Sequence, residues 1–237
     1  MPKYKIADIV FEAQTKYAYT VKLCEKYQYF GEQPCAFKAI ITEEDILAEK
    51  KLCDTYPDAY LESLALFRKL CDYILKNANG FILHSSAVMV DGKAYLFTAP
   101  SGTGKSSHAK LWRELLGDRA VMINDDKPII RCVDGDFFVY GTPWNGKHKL
   151  GENCKAKIKA ICALSQEKEN LIRKATVPEM LLVILNQTIR PKEIKEMDTL
   201  LALLDKMLKS VEIYKLGCNL SLQAAQLSYT TMSGEKL

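Results

Sequence analysis

The apolar residues of this chain fall into short runs separated by polar turn signals, and their spacing changes along its length. Residues 3–40 are rich in Tyr, Val, Ile and Phe, with a turn signal at Phe30-Gly31-Glu32-Gln33-Pro34. This composition predicts a β-rich N-terminal part of three or four strands, a scaffold or lid beside the rest. The pattern then becomes helical. Thr42 is placed to cap a helix whose first turn carries Glu43, Glu44 and Asp45. From about Pro57 to Lys76, Leu61, Leu64, Ala65, Phe67, Cys71, Ile74 and Leu75 recur at helical spacing. Asn77 to Gly80 ends this helix, with Gly80 as its C′ residue.

Short apolar runs return at Phe81–Val90 and Ala94–Thr98, joined by Asp91-Gly92. Asp-Gly between two apolar runs predicts a hairpin. A helix over 106–116 stopped by Gly117 follows, then an apolar strand over 120–126 ending in acids, and a second hairpin turning at Asp134-Gly135-Asp136. Residues 156–164 read as another apolar strand. Thr176 or Val177 starts a helix with Pro178 near its first position. A helix over 198–209, a strand over 211–216 and a helix over 221–230 complete the reading. Together these elements predict one α/β domain over 1–237 with α+β character, a mixed sheet with antiparallel hairpins flanked by helices. Its parts are 1–40 (β-rich), 41–79 (helical), 80–155 (a core of hairpins around a Gly/Ser-rich turn) and 156–237 (α/β).

The candidate chemistry centres on Ala94-Tyr-Leu-Phe-Thr-Ala-Pro-Ser-Gly-Thr-Gly-Lys-Ser-Ser-His108. A strand, a Gly/Ser turn and a helix start are the context of a phosphate-binding P-loop. Gly102 and Gly104 let the backbone turn its N–H groups towards one anion, and the helix N-terminus adds partial positive charge. Ser101, Gly102, Thr103, Gly104, Lys105, Ser106 and Ser107 form the candidate cradle. Lys105 is suited to the β- and γ-phosphates of a nucleotide, and Ser106 to Mg²⁺. The motif's first glycine is replaced by Ala99, which is costly if φ there is positive.

The apolar strand Ala120-Val-Met-Ile-Asn-Asp-Asp126 ends in two acids, Asp125 and Asp126. A hydrophobic strand that delivers a carboxylate beside Mg²⁺ is the second half of such a site. Adjacent residues of a strand face opposite ways, so these two share a task only where the strand has ended. One suits Mg²⁺, the other the acceptor hydroxyl or a bound water. The loop Gly141–Asn153 holds Trp144, Lys147, His148, Lys149 and Glu152, all candidates to meet phosphates or acceptor. Arg190 is a further candidate for phosphate charge, or a solvated arginine near a helix end. His108 lies in the first turn of the P-loop helix and is expected to face away from the phosphates.

Composition narrows the classes. The net charge of +4 is small and dispersed, which disfavours nucleic acid as a partner. No apolar run has membrane-spanning length, so no membrane is expected. The eight cysteines form no Cys-x-x-Cys, and the N-terminus lacks a signal-peptide core. Free thiols in a reducing cytoplasm are therefore expected.

His84 on the strand before the loop, the Pro-Ser-Gly-Thr-Gly-Lys-Ser run and the Asn-Asp-Asp strand end resemble the catalytic domain of HPr kinase/phosphorylase and the related ATP-dependent phosphoenolpyruvate carboxykinases. The chain looks most like stand-alone HPr kinase-like proteins, and the resemblance covers about residues 80–155. It implies a P-loop phosphotransferase fold of the carboxykinase-like type. It also implies ATP and Mg²⁺ as ligands, Asp125 as the base for a serine hydroxyl, Asp126 with Ser106 as metal partner, and His84 near the transferred group. The glycine-arginine signature loop of HPr kinases is absent, and Gly141–Asn153 stands in its place. The function so implied is a Mg-ATP-dependent kinase acting on a hydroxyl of a protein, peptide or small molecule, with a homo-oligomer left open. The alternative is a non-catalytic nucleotide-binding sensor. Three histidines in a short chain disfavour a carboxykinase with its second metal site, and no Asn-Lys-x-Asp element supports a GTPase.

Overall fold

A computed structural model describes residues 1–146 and 149–236. The elements run β1 (Lys3–Ile6), β2 (Ile9–Gln14), α1 (Ala18–Leu23), β3 (Phe37–Ile40), α2 (Glu43–Lys50), α3 (Asp58–Asn77), β4 (Gly80–Ile82), β5 (Ser85–Val90) and β6 (Lys93–Thr98). They continue with α4 (Lys105–Leu116), β7 (Ala120–Asn124), β8 (Ile129–Val133), β9 (Asp136–Tyr140), β10 (Lys155–Gln166), β11 (Leu171–Lys174), α5 (Val177–Asn186), α6 (Ile194–Ser210), β12 (Glu212–Cys218) and α7 (Leu222–Ser233). This is the mixed α/β sheet flanked by helices that the pattern predicts.

The main sheet has the order β4-β8-β9-β10-β6-β5-β7, with β12 also on β10 and β11 on β12. Strand β10 is its branch point. One edge pairs in parallel with β6, while the other pairs first with β9 (antiparallel) and then with β12 (parallel). Along β6 the side chains alternate between two cores. Ala94 and Leu96 face the layer that holds Met180 and Ile184 of α5 and Leu200, Leu204 and Met207 of α6. Tyr95 and Phe97 face the layer of Trp112 from α4 and Tyr229 from α7. Strand β6 is thus clamped from both faces, with its C-terminal end leading into the glycine turn.

Both predicted hairpins form. Asp91 (φ 49°) and Gly92 (φ 79°) turn β5 into β6, and Asp134 and Gly135 turn β8 into β9 with the same pair of positive φ angles. That geometry matches the right-handed twist of the strands. The predicted caps form as well. Thr42 with Asp45, and Thr176 with Glu179, each close a capping box.

Several expectations change. The run 81–90 is not one strand. It breaks at Leu83-His84, so that β4 pairs with β8 and β5 with β6 and β7. The left-handed residue after α3 is Asn79 (φ 48°), not Gly80. Gly80 already belongs to β4, where a Cβ would come within 2.6 Å of the Ile130 carbonyl oxygen. The N-terminal part holds three strands, β1–β2–β3, but also α1, which the sequence pattern did not indicate. Its first turn is capped from a distance. The buried Glu62 of α3 accepts from the Tyr17 N–H (3.1 Å) and from Thr20 Oγ1 (2.7 Å). This small sheet shares a core with Phe67, Leu70 and Ile74 of α3 and with Ile129, Tyr140 and Trp144. All eight cysteines are free thiols. Among the described residues, no helix is long and apolar enough to cross a membrane.

Candidate functional site

The end of β6 runs through Ala99 and Pro100 into a turn at Ser101–Gly104, and α4 begins at Lys105. Gly102 (φ 80°) and Gly104 (φ 111°) hold the left-handed conformations that bring the chain back on itself. Ala99 is not among the residues with positive φ. It is buried in the core beside Phe97, so the missing glycine carries no backbone strain. Lys105 lies along the inside of the turn, and its Nζ donates to the carbonyls of Ala99 (2.8 Å) and Pro100 (3.2 Å). Burial pulls its pKa down, opposed by the charges of Asp126 and Asp125. Ser101, Gly102, Gly104, Lys105, Ser106 and Ser107 line a cavity of about 940 Å³, together with His84, Asp125, Asp126 and Lys127. Thr103 belongs to the turn but not to this lining; its hydroxyl donates to the Pro100 carbonyl (2.9 Å).

Asn124 decides how the two aspartates are presented. It is the last residue of β7 and fully buried. Its Oδ1 accepts from the N–H groups of Asp126 (2.9 Å) and Lys127 (2.8 Å), and its Nδ2 donates to Thr142 Oγ1 (3.0 Å). The strand therefore ends in a side-chain-locked turn, and both carboxylates reach the same cavity. Asp125 is buried and accepts from Ser86 Oγ. Gly146 packs on it so closely that a Cβ would stand 2.7 Å from the Asp125 carbonyl oxygen. Asp126 is half-buried. Its Oδ1 faces His84 Nε2 at 3.2 Å, and Lys127 Nζ binds its Oδ2. Burial pushes the Asp126 carboxyl up, but the His84 hydrogen bond and the Lys127 charge together outweigh it. The carboxyl lies below its ordinary pKa and is ionised at neutral pH.

His84 sits in the gap between β4 and β5. Its Nδ1 contacts Gln187 Oε1 (3.0 Å), and its backbone N–H donates to the Gln187 carbonyl (2.7 Å). Gln187, at the end of α5, and Asn124 are site residues that the sequence reading missed. Asn124 stood within the quoted Asn-Asp-Asp run; nothing local marks Gln187, which lies 103 positions from its partner.

Two smaller cavities adjoin the first. One, of about 410 Å³, shares Ser106, Ser107 and Asp125 with it and adds Lys110, Arg113, Met122 and Leu150. The other, of about 430 Å³, shares His84, Asp126 and Lys127. Asp125 thus stands towards one flank of the glycine turn and Asp126 towards the other. Tyr19, Tyr56 and Tyr60 form an aromatic wall along the central cavity, with Tyr56 and Tyr60 ring centroids 4.7 Å apart.

Other candidates lie elsewhere. Trp144 is buried on Phe67 (4.5 Å between centroids), and its Nε1 donates to the Ser63 carbonyl (3.1 Å). It anchors the loop and does not face the cavity. Glu152 pairs with Lys26 (3.7 Å). Lys149 lines the central cavity, whereas Arg190 is exposed beside Ile189, which lines the 430 Å³ cavity. Lys147 and His148 lie outside the described residues. His108 faces away from the glycine turn, as expected: its Nε2 donates to Ser228 Oγ (2.9 Å), and its Nδ1 is buried without a partner.

No protein-family model matches this chain, and no curated protein matches it. Among solved structures it is similar to the Hpr(Ser) kinase/phosphatase from Coxiella burnetii, at 11% identity over 65% of this chain and 93% of that chain, with a TM-score of 0.37. A likeness at that score carries no inference about chemistry, which rests on the side chains described above.

Proposed function

We propose that this protein is a Mg-ATP-dependent kinase that transfers the γ-phosphoryl group to an acceptor hydroxyl. The observation that carries this reading is the meeting of the glycine turn, Lys105 and both aspartates on one cavity, with separate side chambers reached past Asp125 and past Asp126. The central cavity suits a triphosphate, held by turn N–H groups, the α4 N-terminus and Lys105. Lys110 and Arg113 beside Met122 and Leu150 suit the nucleoside end.

The residues also fit Mg²⁺. Ser106 and Asp125 offer a hydroxyl and a carboxylate, hard oxygen donors on one wall. Among the described residues, no group of three or more His, Cys, Asp or Glu side chains could hold a metal unaided. Mg²⁺ characteristically takes one or two protein oxygens and completes its shell with phosphate and water. When bound, it neutralises charge on the phosphates. This assignment reverses the order expected from the sequence, because all four residues line the central cavity but only Asp125 also shares the 410 Å³ cavity with Ser106, whereas only Asp126 also shares the 430 Å³ cavity with His84.

Asp126 then receives the acceptor's proton. A carboxylate of low pKa suffices, because phosphoryl transfer has a loose transition state in which positioning outweighs base strength. His84 and Lys127 hold that carboxylate in place.

The test is calorimetric titration of Mg-ATP into wild type and Lys105→Ala. Removing the lysine should weaken binding by about tenfold to a hundredfold, the worth of a charge-assisted hydrogen bond. Equal affinity in both proteins would sink the cradle. Tight binding without transfer to any hydroxyl would favour the sensor alternative.

A further inference from the structure

The 430 Å³ cavity beyond His84 and Asp126 falls within the range of small-molecule sites, about 300–1,000 Å³. Leu64, Phe67, Ile82 and Ile189 give it an apolar wall. Its charged side chains are already partnered. Arg68 Nη2 binds Glu49 Oε2 (3.0 Å), with a second contact from Arg68 Nε, and Lys127 binds Asp126. Two carboxylates and two cations cancel within the cavity. A charged ligand arm would therefore lose its hydration here without meeting an unbalanced opposite charge. The end of α5 adds uncharged polar groups, the side-chain amides of Asn186 and Gln187 and the Thr188 hydroxyl.

We propose that this cavity is the acceptor site of the kinase, and that the acceptor is a small uncharged alcohol with an amide-type polar group and an apolar arm. The proposal rests on the kinase reading. The alcohol's hydroxyl lies against Asp126, its polar group against the α5 end, and its arm against Leu64, Phe67, Ile82 and Ile189. A serine side chain presented by a folded protein would occupy only a small part of this volume and leave the apolar wall uncovered. In the transfer step the hydroxyl oxygen forms a bond to the γ-phosphorus. The bond from that phosphorus to the β,γ-bridging oxygen breaks, and its electron pair leaves with ADP. The hydroxyl proton passes to Asp126, and the products are a phosphomonoester and ADP.

Three serine derivatives probe the class: N-benzoyl-, N-acetyl- and N-succinyl-serine methylamide, with an apolar, a minimal and an anionic arm. Binding is measured first by calorimetry without nucleotide, and transfer second with γ-labelled ATP. The benzoyl compound should bind best. Its kcat/KM should exceed the other two by about tenfold or more, the scale on which apolar pockets discriminate. Ile189→Trp and Leu64→Trp each fill the cavity and should abolish that binding, with thermal unfolding showing which variant is folded. Equal use of all three compounds would overturn the proposal. So would preference for the succinyl compound, transfer to none of them, or benzoyl binding untouched in a folded filled variant. Failure of the kinase reading is a distinct result: no ATP binding in wild type, whatever the alcohols do.

Discussion

The front and back of helix α4 make opposite use of the same residue type. At the front, His84 lies at a strand break, half-exposed, with Gln187 on one ring nitrogen and Asp126 on the other. At the back, His108 is buried between α4 and α7. Its partner Ser228 Oγ also accepts from Trp112 Nε1 (2.8 Å) and donates to the Ala225 carbonyl (3.0 Å). With the serine proton committed to Ala225, the His108 proton must sit on Nε2, and Nδ1 is left as a bare lone pair. Burial lowers the His108 pKa from 6.5 to about 4. One histidine is wired to a carboxylate at a cavity; the other is held neutral inside a hydrophobic layer. Residue identity alone does not separate these outcomes: His84, at a strand break, has a carboxylate beside it, and His108, inside α4, has none.

The largest expected effect breaks the front alone. Asp126→Asn should lower transfer by about 10²–10⁴-fold, the usual contribution of a positioned acid–base group, with a far smaller effect on unfolding by denaturant. Comparable loss in Asp125→Asn with Mg-ATP affinity intact would instead give the proton-accepting task to Asp125. At the back, Ser228→Ala strips the partner from two buried donors, His108 Nε2–H and Trp112 Nε1–H. It should cost about 2–5 kcal/mol in urea unfolding, since each orphaned donor loses its full desolvation penalty.

The pH dependence sharpens the contrast. Between pH 6.5 and about 4 the unfolded chain takes up a proton that folded His108 refuses, so protons favour unfolding and stability falls as pH falls. That loss amounts to roughly 3 kcal/mol by pH 4. Asp126, whose carboxyl is held low, loses its contribution in a lower window. The difference between wild type and His108→Gln, measured as unfolding free energy against pH, therefore isolates the histidine. The smallest effect is at Gln187→Ala. It should slow transfer by less than about tenfold, because one hydrogen bond to His84 is lost while the backbone bond to residue 187 remains.

Features whose cause lies within a few residues were legible in the sequence. The Asp-Gly hairpins, the Thr42 and Thr176 caps, the glycine turn and the apolar stripe of α3 are of this kind. What escaped has distant causes. Helix α1 owes its cap to Glu62, more than forty positions away. Strand β11 is a largely exposed edge strand, Leu-Ile-Arg-Lys, defined only by its antiparallel pairing with β12. The break at His84 exists because β4 follows β8 while β5 follows β6 and β7. At the site, the motif identified the carboxylates, but Asn124 and the side cavities decide what each one faces.

The branched pairing of β10 has a consequence for the order in which the protein forms during synthesis. The glycine turn is made by residue 105, but its strand β6 has only its hairpin partner β5 until residues 157–163 arrive to pair with its other edge. The back of α4 waits longer still, for Ser228. Chains emerge at about 5–20 residues per second. The nascent glycine turn therefore spends seconds as local structure without its long-range partners, and the packing behind α4 is complete only after residues 222–233 have left the ribosome.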